Sequence, residues 1–141
     1  MTNTHKPIKI VIVEDDVYYN KLLTKYVHTI CSGSFYPDLT FDVKSYYSAH
    51  ECIEELENDL DIILLDYFLF NKDEDEVLNG ADVLGEVKKH CNDCKVIMMS
   101  TLKSAGKAAE LISQGLYAYV DKNINSKDRI GAVLQQAIED R

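Results

Sequence analysis

Short apolar runs, each followed by a segment with helical spacing, constrain this chain's fold more than any other feature. Residues 8–13 (Ile-Lys-Ile-Val-Ile-Val), 61–66 (Asp-Ile-Ile-Leu-Leu-Asp) and 95–99 (Lys-Val-Ile-Met-Met) are too short for buried helices. Runs of this length and composition read as strands covered on both faces, as in a parallel sheet. Residues 39–46 and 117–120 are weaker runs that complete a set of five. Apolar residues recur at three- and four-residue intervals in Tyr19, Leu22, Leu23, Tyr26 and Ile30, and again in Val83, Leu84 and Val87. They do so also in Ile130, Val133, Leu134, Ala137 and Ile138. Helices are expected after Asp15 or Asp16 (the cap) and over residues 48–58, with Cys52, Ile53 and Leu56 inward. Three more are expected over 80–90, 104–114 (closed by Gly115) and 126–139. Residues 31–38, with Gly33 and Pro37, read as a loop. Strand and helix alternate five times, which implies a parallel α/β sheet with helices on both faces. Residues 1–141 read as a single domain with no repeat, no linker and no output domain.

Composition narrows the function. Fifteen basic against 24 acidic residues give a net charge of −9, which argues against a nucleic-acid partner. No apolar run approaches the roughly 20 residues of a membrane span. Residues 1–6 lack the apolar segment of a signal peptide, so a cytoplasmic location is expected. Cys91 and Cys94 have C-x-x-C spacing but fall between a helix and a strand, and no second ligand pair is spaced for zinc. Reduced structural or surface thiols are expected for these two and for Cys31 and Cys52. The four histidines are scattered. Tyr18-Tyr19 and Tyr46-Tyr47 sit beside helix and strand ends and call for no functional reading.

In an open α/β sheet, ligands bind at the carboxyl ends of the strands. Glu14-Asp15-Asp16 follow the first strand, Asp66 ends the third, Ser100-Thr101 follow the fourth and Asp121-Lys122 the fifth. Carboxylates held together raise one another's pKa, and a hard divalent cation relieves them. Mg²⁺ takes oxygen ligands and suits one or two carboxylates beside a phosphate oxygen. A carboxylate in such a setting can act as a nucleophile on phosphorus, giving an aspartyl phosphate. Lys122 would then compensate the phosphoryl charge, and Ser100 would donate a hydrogen bond.

Four segments carry a resemblance: residues 10–16 (Ile-Val-Ile-Val-Glu-Asp-Asp), 61–66, 96–100 (Val-Ile-Met-Met-Ser) and 115–122 (Gly-Leu-Tyr-Ala-Tyr-Val-Asp-Lys). Together they resemble the response-regulator receiver domains of two-component signalling, and the likeness spans nearly the whole chain. It implies a flavodoxin-like, doubly wound (βα)5 fold with strand order 2-1-3-4-5. It implies that Asp66 is the phosphoacceptor and that Mg²⁺ is held by Asp15, Glu14, Asp66 and the backbone carbonyl of Phe68. It implies that Ser100 is the switch hydroxyl, Tyr119 the switch aromatic and Lys122 the phosphate-pairing lysine. The implied partners are a histidine kinase or a histidine phosphotransfer protein, and a downstream protein on the face of the fourth helix, fifth strand and fifth helix.

The chain departs from the family pattern at several places. Phe70 stands where receivers usually have proline, and Gly80 comes 14 residues after Asp66, so residues 71–79 look like an acidic insertion. Asn123 replaces the usual proline after the lysine, and a trans peptide or a rearranged loop is expected there. Phe68 and Leu102 are apolar where many receivers are polar, and Thr101 is larger than usual. These groups are expected to screen a phosphoryl group from water and lengthen its lifetime; loss within seconds would count against this.

The expected role is a signalling module, not an enzyme. The alternative is a degenerate receiver that binds partners without phosphorylation. A phosphatase with an Asp nucleophile would want a second Asp at position 68, which is Phe68.

Overall fold

The computed structural model describes residues 6–69, 79–101, 105–123 and 125–141. Ten elements follow one another: β1 (Ile8–Val13), α1 (Val17–Ser32), β2 (Phe41–Tyr46), α2 (Ala49–Glu54), β3 (Ile62–Asp66), α3 (Gly80–His90), β4 (Lys95–Ser100), α4 (Ala105–Ser113), β5 (Ala118–Asp121) and α5 (Ser126–Asp140). The strands form one parallel sheet in the order β2-β1-β3-β4-β5. This is the flavodoxin-like order that the resemblance implies.

The continuous apolar runs have a simple cause. Alternate residues of a strand point to opposite faces, and here both faces are covered. Ile63 and Leu65 pack with α2, α3 and α4 through Cys52, Val83, Leu84, Val87 and Leu111. Ile62 and Leu64 pack with α1 and α5 through Leu23, Val27, Ile30, Leu134 and Ile138. All five residues of β3 are buried. One polar residue at its carboxyl end therefore enters an otherwise apolar setting, and that residue is Asp66.

Several boundaries differ from the sequence reading. Strand β2 begins at Phe41, because its partner in register is Ile8, the first residue of β1. Helix α1 runs on through Cys31 and Ser32, where a loop was expected; Ile30 and Cys31 are buried and hold its last turn on the core. Leu22 is 49% exposed, so the buried face of α1 is narrower than its apolar residues suggest. Helix α2 stops at Glu54, four residues early, in a turn at Glu55 whose N–H donates to carbonyls of Glu51 and Ile53. All four cysteines are free and buried, so none is a surface thiol. Burial pushes Cys31 up to about 11 and Cys52 up to about 12, which leaves both as protonated packing groups. Phe70, residues 71–78, Leu102 and Ser104, for which the sequence carried expectations, lie outside the described residues.

Candidate functional site

The sheet register builds the site. Val13 pairs with Leu65, so the next residues in each strand, Glu14 and Asp66, come side by side. Ser100 pairs with Asp121 and its carbonyl accepts the Lys122 N–H at 2.8 Å, which brings Lys122 to the same edge. Oxygens of Glu14, Asp15 and Asp66 lie within 4.8 Å of one another. The Lys122 ammonium is 2.5 Å from Glu14 Oε1 and 3.4 Å from Asp66 Oδ2. Four of the residues singled out in the sequence thus meet.

Short local contacts fix Glu14, Asp66 and the segments that carry them. Asp16, not Asp15, is the N-cap of α1 and accepts the Tyr19 N–H at 3.0 Å, a first-turn donor that would otherwise lack a partner. The Asp16 N–H in turn donates to Glu14 Oε2 at 3.1 Å. Asn20, 1% exposed, donates from Nδ2 to the carbonyls of Glu14 (2.9 Å) and Tyr46 (3.1 Å). It ties the ends of β1 and β2 to α1. Asp66 Oδ1 accepts the Phe68 N–H at 3.3 Å.

Gly80 answers to close packing beneath Asp66. A Cβ there would stand 2.8 Å from Tyr67 Cα and 3.0 Å from the Asp66 carbonyl oxygen. Its N–H donates to the Tyr67 carbonyl at 2.8 Å. Asn79 caps α3 just before it, in a capping box with Asp82. The start of α3 is therefore pressed against the backbone that carries Asp66.

One ammonium faces three carboxylates in a setting largely closed to water. Glu14, 1% exposed, is pushed up to about 7 by burial, against the opposing Lys122 hydrogen bond and with the Asp66 charge adding to the rise. Burial also raises Asp66, against the pull of Lys122. Burial pulls Lys122 down, but the Glu14 hydrogen bond and the Asp66 and Glu14 charges outweigh it, and the net direction is up. The local deficit of positive charge is what a hard divalent cation would fill. The donor set, carboxylate oxygens from Glu14, Asp15 and Asp66, fits Mg²⁺.

The remaining sequence candidates are placed as follows. Ser100 is fully buried at the end of β4. Tyr119 lies on β5 opposite Met98, partly buried against the cluster shared by α2, α3 and α4. Phe68 is 51% exposed, and its ring meets Tyr67 edge to face at 5.0 Å. Thr101 is exposed. The Lys122–Asn123 peptide is trans, as expected. Tyr19 corrects the reading that the tyrosine pairs need no functional account: its ring lies under the Lys122 ammonium, 4.5 Å from Nζ to the centroid. Asn20 was missed altogether. The signal available for both was their place in the first turn after an acidic strand end, which points back at that end.

Comparison with known proteins agrees with this geometry. The family model described as response regulator receiver domain matches residues 10–135. Comparison with curated proteins gives no match. Among solved structures, the BeF3-activated DrrB receiver domain is similar, with TM-score 0.75 and 19% identity over 95% of this chain and 99% of that one. A response regulator receiver domain protein from Clostridium thermocellum has TM-score 0.73 and 18% identity, over 94% of each chain. The response regulator domain of Thermotoga maritima CheB has TM-score 0.68 and 20% identity, over 95% of this chain and 96% of that one. These likenesses speak to the fold. The family match spans most of the chain and includes all four residues gathered at the sheet edge, so the chain belongs to the response-regulator receiver family.

Proposed function

We propose that this chain is a phosphoacceptor module of a two-component or phosphorelay system, with Asp66 as the residue phosphorylated. The observation that carries the reading is the cluster itself: three carboxylates within 4.8 Å, with Lys122 reaching both Glu14 and Asp66. Glu14, Asp15, Asp66 and the Phe68 carbonyl would hold Mg²⁺. Bound there, the ion neutralises carboxylate and phosphoryl charge so that a carboxylate can approach phosphorus.

The chain's own groups account for the rest. The Phe68 N–H on Oδ1 and Lys122 near Oδ2 fix the orientation of the Asp66 carboxylate. An Asp66 oxygen bonds to phosphorus as the P–N bond of a phosphohistidine donor breaks, and the imidazole nitrogen leaves with the electron pair. Lys122 pairs with an oxygen of the transferred group. Ser100, at the end of the adjacent strand, and Tyr119, one strand further, carry the change toward the face of α4, β5 and α5, where a downstream protein would bind. The module works in the cytoplasm on this reading and turns over no substrate of its own; among the described residues, no helix is long and apolar enough to cross a membrane.

The test is incubation with Mg²⁺ and acetyl phosphate, followed by intact mass. One added phosphoryl group is expected, lost on chelation of the metal and lost in Asp66→Asn. No gain from acetyl phosphate or from a panel of phosphohistidine proteins would replace this reading with that of a phosphorylation-independent binding module.

A further inference from the structure

We infer that Tyr19 is a positioning residue for this site: the face of its ring holds the Lys122 ammonium against Glu14 and Asp66. The inference rests on the reading of Lys122 as the phosphoryl's charge partner. Lys122 extends a flexible four-carbon stem from the end of β5 and has many ways to point its charge. Its ammonium is nonetheless enclosed. Glu14 Oε1 lies at 2.5 Å, Asp66 Oδ2 at 3.4 Å and the Tyr19 centroid at 4.5 Å, with the side chain only 20% exposed. The carboxylates attract the ammonium inward, and the negative face of the ring covers a further side.

Tyr19 is itself held in place by the residues that build the site. Its N–H donates to the Asp16 carboxylate, and the Asp16 N–H donates to Glu14. The ring also packs on the core shared by α1 and α5. One six-residue stretch, from Glu14 to Tyr19, therefore supplies a carboxylate, a helix cap and the ring that meets the lysine. The position of the ring is set by the cap and the core and not by a bond to the lysine. A lysine that must exchange a carboxylate for a phosphoryl oxygen needs such a fixed support.

Two readouts test this. The first uses lysine side-chain ¹H–¹⁵N spectra of the metal-free protein, with the signal assigned by Lys122→Arg. The Lys122 ammonium signal should be displaced upfield by the ring in the wild type and in Tyr19→Phe. In Tyr19→Leu, which keeps apolar bulk but has no π face, the displacement should vanish. The second is the rate of phosphorylation by acetyl phosphate at saturating Mg²⁺. Tyr19→Leu should lose about tenfold and Tyr19→Phe less than about twofold.

An undisplaced wild-type signal overturns the inference without any variant, as does a Tyr19→Leu rate equal to the wild type's. If Tyr19→Leu does not fold, Tyr19→Met serves in both measurements. A wild type that gains no phosphoryl group defeats the functional reading instead, and the spectra still decide the placement of Lys122.

Discussion

Two lysines near β1 each sit between two carboxylates, with opposite consequences. Lys9, in the strand, is 2.6 Å from Glu57 and 3.0 Å from Asp59, and Glu57 also meets Lys44 at 3.2 Å. Lys122, beside the residue just past the strand's end, is 2.5 Å from Glu14 and 3.4 Å from Asp66. The Glu57 and Asp59 side chains are 41% and 48% exposed, whereas those of Glu14 and Asp66 are 1% and 5% exposed. At the surface, hydrogen bonds to Lys9 hold both acids below their ordinary range. In the site both acids are raised, because burial opposes their ionisation more strongly than one ammonium supports it. Similar ion-pair distances thus make an ordinary surface network in one place and an electrostatic deficit in the other. Water sets the difference, and the deficit is what a site for a cation and a phosphoryl group requires.

The largest expected effect comes from removing the lysines. In metal-free protein at pH 8, Lys122→Met should lower unfolding free energy by about 3–5 kcal/mol, because it leaves buried carboxylates without a counter-charge. Lys9→Met should shift the urea midpoint far less, since water takes over the solvation of Glu57 and Asp59. Mg²⁺ should restore much of the loss in Lys122→Met and change Lys9→Met no more than it changes the wild type. Equal losses in the two variants would break the comparison.

This contrast also marks what the sequence could disclose. The fold was legible because strands covered on both faces must be apolar throughout, as residues 62–65 are. Glu14, Asp15, Asp66 and Lys122 were legible because a charge at the end of such a run stands out. Ser100 was legible from its place at a strand end, whereas its switch role and Tyr119 came only through resemblance; the structure gives both residues burial and strand position. Tyr19 was read as helix packing, since spacing assigns a ring to a face and says nothing of a lysine that arrives more than 100 residues later. Asn20 carries no signal beyond its place in the first turn; its two carbonyl partners come from β-strand ends that only the fold brings together. The early stop of α2 has no glycine or proline to announce it. Leu22 shows the reverse error, an apolar residue at helical spacing that faces solvent.

A pH series should separate the two clusters within one protein. Glu14 has its folded pKa raised from 4.5 to about 7, so its contribution to stability is complete below pH 4.5 and is lost as pH rises through 7. Glu57 and Asp59 are lowered, so their contribution is present above their ordinary values of 4.5 and 3.8 and is lost as pH falls through the folded ones. Metal-free protein should therefore lose up to about 3 kcal/mol between pH 5 and pH 8 from the buried cluster. The surface cluster should show itself only in the acid limb. Urea unfolding across this range is the measurement. Glu14→Gln should flatten the neutral limb and leave the acid limb as it was; a neutral slope that survives in Glu14→Gln would assign it to another group.

The smallest effect is a difference of sign. Asp66→Asn removes a buried carboxylate that its surroundings already disfavour, and it relieves the charge on Glu14 beside it. Metal-free Asp66→Asn should be more stable than the wild type by about 1 kcal/mol. Glu57→Gln removes a carboxylate that its surroundings favour, so it should be slightly less stable. Mg²⁺ should reverse the order at the site, because the wild type gains a ligand that Asp66→Asn has lost. Paired thermal scans with and without Mg²⁺ read all of this. On the proposed reading Asp66 is kept at a cost to the metal-free fold, so its removal should stabilise. If Asp66→Asn instead destabilised the metal-free protein as Glu57→Gln does, the two lysine clusters would be alike, and the deficit at the sheet edge would not exist.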